Sequence, residues 1–261
     1  MAELPSPSAA PARPAASAVE SCVRSIYLDD TRYLALPRPE IRLVARFGPA
    51  VDGGADVHAV GTQATVRRKT LPAGLGAVTV RLALGTSTAA LGVPASTLVD
   101  DVVPLDALWG DVAAGRLRDR LATAATSAEA AAIVREAIDG RRGMSPDAAA
   151  SRRIAVAAAA LATGEPADAA ARLGVGERHL RRLFGEATGL SPKAFARLAR
   201  FRRAVLAGVE RHGRSWASIA ADTGYYDQAH LIGDFRAFAG VTPPALLAEL
   251  AAARDPAREA A

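Results

Sequence analysis

Cysteine is nearly absent. Cys22 is the only one in 261 residues, so no disulfide can form within the chain, which suits a reducing cytoplasm. A lone thiol cannot complete a zinc site, and His58, His179, His212 and His230 have no metal-ligand spacing among themselves. No apolar run approaches the ~18 residues that a membrane span needs. The N-terminus opens on Glu3 and prolines rather than on a basic and then apolar leader, so neither a membrane span nor a secretory signal is expected. Residues 22–140 also lack an acid/base pair, an activated nucleophile or a metal set. Asp29-Asp30 and Asp100-Asp101 are neighbours in sequence that do not converge on one site, and they read as turn or loop acids. Gly74-Leu75-Gly76 lacks the strand-turn-helix setting of a phosphate loop and reads as a turn. No catalytic residue, cofactor or metal is therefore expected.

Lysine is scarce as well: Lys69 and Lys193 are the only two. With arginine supplying nearly all of the 32 basic residues, position along a helix carries more than the count. Charge is nevertheless uneven. Of the formal +5, residues 1–140 contribute −1 and residues 141–261 contribute +6. Gly176–Arg214 alone carries 10 basic and 3 acidic residues. A basic region confined to one half of the chain points to a polyanionic partner.

Along the chain the composition changes several times. Residues 1–21 are rich in Pro, Ala and Ser and cannot bury a core, so a disordered tail is expected. Residues 22–110 read as a small β-rich domain. Ile41, Leu43, Ala45 and Phe47 alternate with polar or smaller neighbours, as do Val78, Val80, Leu82 and Leu84, and 57–69 is a weaker strand candidate. Short helical pieces fit 89–92 and 106–109, where Trp109 reads as closing a core. Helical spacing begins near Val112, and 111–145 reads as a helical connector. Its second helix is capped by Ser127 and ends before Gly140. Residues 146–252 are all helix, and 253–261 form a polar tail. The fold class is α+β, with a β-rich N-terminal domain followed by helices and an all-α C-terminal domain.

That C-terminal domain contains one pattern twice. His179-Leu180-Arg181-Arg182-Leu183-Phe184 followed by Gly189-Leu190-Ser191-Pro192 is matched, 51 residues later, by His230-Leu231-Ile232-Gly233-Asp234-Phe235 followed by Gly240-Val241-Thr242-Pro243. Each copy is a short Ala-rich helix, a glycine-centred turn and an amphipathic helix, the sequence form of a helix-turn-helix. On the first amphipathic helix Leu180, Leu183, Phe184 and Ala187 form a core stripe, while Arg178, Arg181 and Arg182 share the opposite face. A charge run alone is usually a solvated face. Projected by a helix-turn-helix, three guanidiniums can enter the major groove and bond guanine O6 and N7 in pairs.

The second helix offers Gln228, Ala229 and Ile232 in the base-reading positions, which cannot make bidentate arginine contacts. Asp234 sits awkwardly within its core stripe. Unequal duties are expected, with the first unit specifying sequence and the second mainly positioning. Phosphate contacts are assigned to His179, Lys193, Arg197, His230 and Arg236. A connecting helix of some 20 residues is ~30 Å long, close to the ~34 Å between successive major-groove faces, so one chain can reach two adjacent groove turns.

The residues from Leu173 to Phe184 with Thr188-Gly189-Leu190-Ser191-Pro192 resemble the AraC/XylS family of bacterial transcription regulators. So do Gly224-Tyr225-Tyr226-Asp227-Gln228-Ala229-His230-Leu231, Phe235 and Gly240-Val241-Thr242-Pro243. The resemblance covers about 150–250 and implies two helix-turn-helix units around a linker helix. The chain departs from the family pattern in having Tyr225 for the common Phe, and Ile232-Gly233-Asp234-Phe235 for Ser-Arg-Glu-Phe, so the second unit lacks an arginine. Leu91-Gly92-Val93-Pro94 and 104–110 resemble an N-terminal domain of some such regulators, which implies a sensor or oligomerisation role. The implied partners are double-stranded promoter DNA, a small-molecule effector, RNA polymerase and a second copy of the chain. The alternatives are an architectural protein that binds DNA without sequence preference, and an enzyme with its site in residues 22–140.

Overall fold

Apolar and polar residues alternate in the first third of the chain, and from about residue 105 the spacing becomes helical. The architecture changes with it. The computed structural model describes residues 19–27, 29–142, 148–210 and 213–253. The described residues contain seven strands: β1 Val19–Tyr27, β2 Thr31–Ala35, β3 Arg42–Phe47, β4 Ala55–Val60, β5 Arg67–Leu71, β6 Leu75–Leu82 and β7 Val102–Pro104. Five of them form an antiparallel sheet in the order β1-β6-β3-β4-β7, and β2 pairs with β5 in a separate ribbon. Between β6 and β7 lie α1 (Ser87–Leu91) and a 3₁₀ turn at Ala95–Leu98. Then follow α2 (Leu105–Trp109), α3 (Asp111–Ala122) and α4 (Ser127–Arg142). Leu43, Val57, Val78 and Val80 of the sheet share one core with Leu117 and Leu121 of α3 and Val134 and Ile138 of α4. Trp109 donates its indole N–H to the Ala90 carbonyl at 3.0 Å and carries Arg141 over its ring.

Three sequence expectations shift. β1 starts at Val19, which pairs with Leu82, so residues 19–21 belong to the sheet; residues 1–18 lie outside the described residues. The strand candidate 57–69 divides into β4 and β5, which sit in different sheets, because the main chain between them turns away at Gly61. A Cβ at Gly61 would stand 1.4 Å from the Leu98 carbonyl oxygen, so only glycine passes there. Gly140 lies inside α4 rather than beyond it, with nothing near its missing side chain to favour a break. The connector 143–147, where the opening Pro146-Asp147 was expected, lies outside the described residues.

Among the described residues seven helices follow: α5 Ala148–Thr163, α6 Pro166–Leu173, α7 Glu177–Thr188, α8 Pro192–Glu210, α9 Trp216–Thr223, α10 Gln228–Ala239 and α11 Pro243–Ala252. They enclose two cores. Ile154, Leu161, Leu180, Phe184 and Phe195 build the first, and Leu198, Phe201, Val205, Ile219, Leu231, Phe235 and Leu246 the second. Helix α8 serves both: Phe195 from its first turn enters one core, and the next turns enter the other. Val66, from the β4–β5 segment, is buried in the second core, so the N-terminal domain supplies part of the helical domain's interior.

Candidate nucleic-acid interface

The first unit is α6, a turn at Gly174-Val175-Gly176, and α7. Glu165 and Asp168 form a reciprocal capping box at the start of α6. Gly174 closes that helix at φ 63°, and the Val175 amide returns to the Ala170 carbonyl at 3.1 Å. On α7, Leu180, Phe184 and Thr188 are buried and Leu183 and Ala187 are half-buried. Phe184 meets Phe195 of α8 edge-on at 5.1 Å. Arg178, His179, Arg181 and Arg182 all lie exposed on the other side. The one ion pair on that face among the described residues joins Arg182 to Glu186 at 3.4 Å, with both side chains more than half exposed. A surface pair at i,i+4 is worth ~0.3–0.5 kcal/mol, well below the ~1–3 kcal/mol of a bidentate guanine contact. A duplex can displace it.

The second unit is α9, a turn at 224–227, and α10. Ser215 caps α9 by accepting the Ser218 amide at 3.1 Å, and Asp227 caps α10 by accepting the His230 amide at 2.7 Å. Gln228, Ala229, His230, Gly233 and Arg236 are exposed, whereas Ile232 is half-buried against the second core. His230 rests edge-on against Tyr225, with ring centroids 5.1 Å apart. Tyr226, which the pattern of charged residues did not single out, is 94% exposed beside the start of α10. Its signal in the sequence was an aromatic inside a helix-turn-helix turn, next to a second tyrosine that goes into the core.

Asp234 is explained by the tertiary structure. It is buried, and its Oδ1 accepts the Arg197 Nε–H at 2.6 Å. The Arg197 guanidinium also lies over the Phe238 ring at 4.9 Å. Arg197 was expected on phosphate; its charge is instead committed to a carboxylate inside the second unit. Its neighbours on α8 act in the same way. Arg200 donates to the Gly224 carbonyl at 3.1 Å and lies over the Tyr225 ring, and Arg203 donates to the Thr223 carbonyl at 3.1 Å. Together they hold the turn of the second unit to the linker helix. Burial and the nearby Asp234 carboxylate push the Tyr225 phenol well above its ordinary range. Lys193 stays exposed at the start of α8.

A second concentration of positive charge lies where the N-terminal domain meets α8. Arg42 on β3 stands opposite Arg81 on β6 across the ladder, and like charges opposed in this way repel. Arg42 is buried, bonds Gln63 through Nη2 and leaves Nε without a partner; Arg202 of α8 donates to the Pro37 carbonyl at 3.1 Å. Desolvation, joined by repulsion from Arg38 and Arg81, pushes both Arg42 and Arg202 below the usual arginine value; Tyr33 offsets part of it for Arg42, and Glu40 part of it for both. Four guanidiniums thus lie within electrostatic reach of one carboxylate, Glu40, whose Oε2 has no hydrogen-bond partner among the described residues. By contrast, a cleft of about 270 Å³ lined by Arg46, Asp56, His58, Asp106 and Arg118 is internally neutralised. Arg46 bonds Asp56, which holds its guanidinium pKa up, and Arg118 pairs with Asp106 at 3.6 Å. Among the described residues no group of His, Cys, Asp and Glu could hold a metal ion, and no helix is long and apolar enough to cross a membrane.

Residues 169–249 match a family model described as a helix-turn-helix domain. No curated protein matches the chain. Among solved structures, ToxT from Vibrio cholerae in a P21 crystal form is similar at 11% identity, over 88% of this chain and 97% of that one, with a TM-score of 0.43. ToxT bound to (E)-4-(8-methylnaphthalen-1-yl)but-3-enoic acid gives the same identity, coverage and TM-score. The unsaturated fatty acid-bound form from Vibrio cholerae strain SCE256 matches at 12% identity over 92% of this chain and 95% of that one, with a TM-score of 0.39.

Proposed function

We propose that the C-terminal helices are an AraC-type helix-turn-helix domain and that the chain is a DNA-binding transcription regulator, which reads promoter sequence chiefly through α7 and takes a small anionic effector. The single observation that carries the DNA reading is the exposed arginine face of α7, held clear of the core by Leu180 and Phe184. In this reading Arg178, Arg181 and Arg182 address base edges, and His179 and Lys193 address phosphates. The second unit positions the complex. Gln228, Ala229 and the exposed rim of Ile232 face the groove, and His230, Arg236 and Tyr226 face the backbone. Arg197 leaves the set of phosphate contacts, because Asp234 already holds it. RNA polymerase and a second copy of the chain are further partners consistent with a regulator.

Selection of bound duplexes from a random pool tests this. Enrichment of a guanine-containing motif, with a footprint near two groove turns per chain, is the expected outcome. Equal binding to random duplex at matched salt would replace it with an architectural role. The effector reading rests on the arginine cluster at Arg38, Arg42, Arg81 and Arg202, since one buried and three half-buried cations gathered near a single carboxylate call for an anion. Long- and short-chain carboxylates and inorganic phosphate are the probes. Stabilisation of the chain that Arg42→Met abolishes supports the assignment, and equal stabilisation of both proteins removes it.

A further inference from the structure

The last carbonyl groups of a helix have no partner inside it, and both groove-facing helices end in the same way. α7 finishes at Thr188 and α10 at Ala239, positions 51 residues apart in the repeat, and each is followed by a glycine in the left-handed region, Gly189 and Gly240. The donors that meet these carbonyls come from one short stretch of the N-terminal domain. The Thr62 hydroxyl lies 2.6 Å from the Thr188 carbonyl oxygen. The Val66 amide donates to the Phe238 carbonyl at 2.8 Å, and Arg68 Nη2 donates to the Ala239 carbonyl at 2.9 Å. Arg68 is held in turn by Glu249 of α11 at 2.8 Å. Seven residues of chain therefore touch the equivalent ends of two helices.

The stretch is braced. The Thr62 carbonyl accepts the Asp100 amide at 2.7 Å, and the Ala64 amide donates to the Asp100 carboxylate at 3.0 Å. Asp100 is the one non-glycine residue with positive φ among the described residues, at 58°. Gln63 makes a paired backbone bridge with Arg38 and also accepts from Arg42. On the α7 side the fit is close enough that a Cβ on Gly189 would stand 2.5 Å from Val99 Cγ2 and 3.2 Å from the Ala95 carbonyl oxygen.

From this juxtaposition we propose that residues 61–68 are a strut that sets the spacing of the two groove-facing helices, and so specify how far apart the two half-motifs of the operator must be. Helix α8 joins the units along one side. Contacts with a single rod resist rotation of each unit only on the side that faces it. A second link across the far ends of α7 and α10 closes the frame. The requirement is strict, because one base pair moves a half-motif by about 3.4 Å along the duplex and turns it by roughly a tenth of a revolution. Thr62, Val66 and Arg68 are positioning residues in this scheme and touch no DNA.

The inference rests on the DNA-binding reading, and the test separates the two. The full chain would be titrated against duplexes carrying the selected motif with the gap between its halves changed by −2 to +2 base pairs, alongside duplexes with a base change inside one half. For the unaltered chain, affinity should fall about tenfold or more per base pair of altered gap, comparable with the loss from a mismatched base. Thr62→Val with Arg68→Ala should flatten that dependence to within about threefold while the preference for bases inside each half is retained. Arg68→Ala alone, at a half-exposed side chain, serves as a second variant that keeps the core intact, and it should flatten the dependence in part. A gap dependence identical in the unaltered chain and both variants would overturn the strut. So would equal binding to every gap by the unaltered chain, even with base preference intact. Absence of any base preference in the unaltered chain would overturn the DNA reading itself, and the strut with it.

Discussion

The two helix-turn-helix units share a repeat of 51 residues and the same scaffold, yet they spend their polar side chains differently. In the first, α7 turns three arginines outward, and the one ion pair on them among the described residues is a surface bridge to Glu186. In the second, α10 carries the single exposed Arg236, and the linker-helix arginines beside it are engaged by Asp234 and the carbonyls of Thr223 and Gly224. Charge that is free in one unit for a ligand is structural in the other. The difference teaches that an arginine-rich helical domain cannot be scored by its total charge. What decides is which guanidiniums are already satisfied.

The sharpest way to break this comparison is to remove the outward set together. Arg178, Arg181 and Arg182 all changed to Ala should lower affinity for the selected duplex by at least about a hundredfold and erase base preference, on ~1–3 kcal/mol per bidentate contact. Retained preference, measured by competition with random duplex, would end the claim that α7 reads sequence. Next in size is the buried anchor of the second unit. Asp234→Ala strands Arg197 and removes a charged hydrogen bond, and it should cost ~1–3 kcal/mol in denaturant unfolding. That range is discounted from fully buried pairs because Arg197 is 46% exposed. An unchanged midpoint would show that the pair contributes nothing.

The equivalent glycines give a paired comparison. Gly189→Ala and Gly240→Ala each force a side chain into the left-handed region, at ~1–2 kcal/mol. Only Gly189 also meets Val99 and the Ala95 carbonyl, whereas nothing lies within 4 Å of the position a Cβ would take at Gly240. Gly189→Ala should therefore be the more destabilising of the two in thermal melts, and equal losses would mean that the 3₁₀ turn does not press on α7. Single changes in the proposed base-reading sets come after that. Arg182→Ala should weaken binding by ~1–3 kcal/mol and relax one base position, whereas Ile232→Ala, half-buried and apolar, should change affinity less than about threefold. Smallest of all, Arg236→Ala should leave base preference alone and reduce the slope of log affinity against log salt by about 1.

How much of this was legible in the sequence follows from the range over which each signal acts. The boundaries of the C-terminal helices are set locally, because caps and turns act within a few residues: Ser215, Asp227, Gly174 and Gly224 mark them by their own chemistry. The apolar stripe of α7 was equally local, and its opposite face followed from helical spacing. Strands proved harder. The segment 57–69 looked continuous because nothing nearby announces that Gly61 must pass the Leu98 carbonyl. Asp234 looked misplaced because its partner lies 37 residues upstream. Arg197 looked available for phosphate for the same reason, and Tyr226 carried no charge pattern to draw notice.

The sequence by itself determined the repeat, the two helix-turn-helix units and the outward arginines of α7, because hydrophobic spacing and capping act within a turn or two of the chain. Only the tertiary structure decided which cations are spent internally and how the N-terminal domain reaches the ends of α7 and α10 through Thr62, Val66 and Arg68. Hydrogen bonds and ion pairs between distant segments depend on where the fold brings them, and no local pattern encodes that.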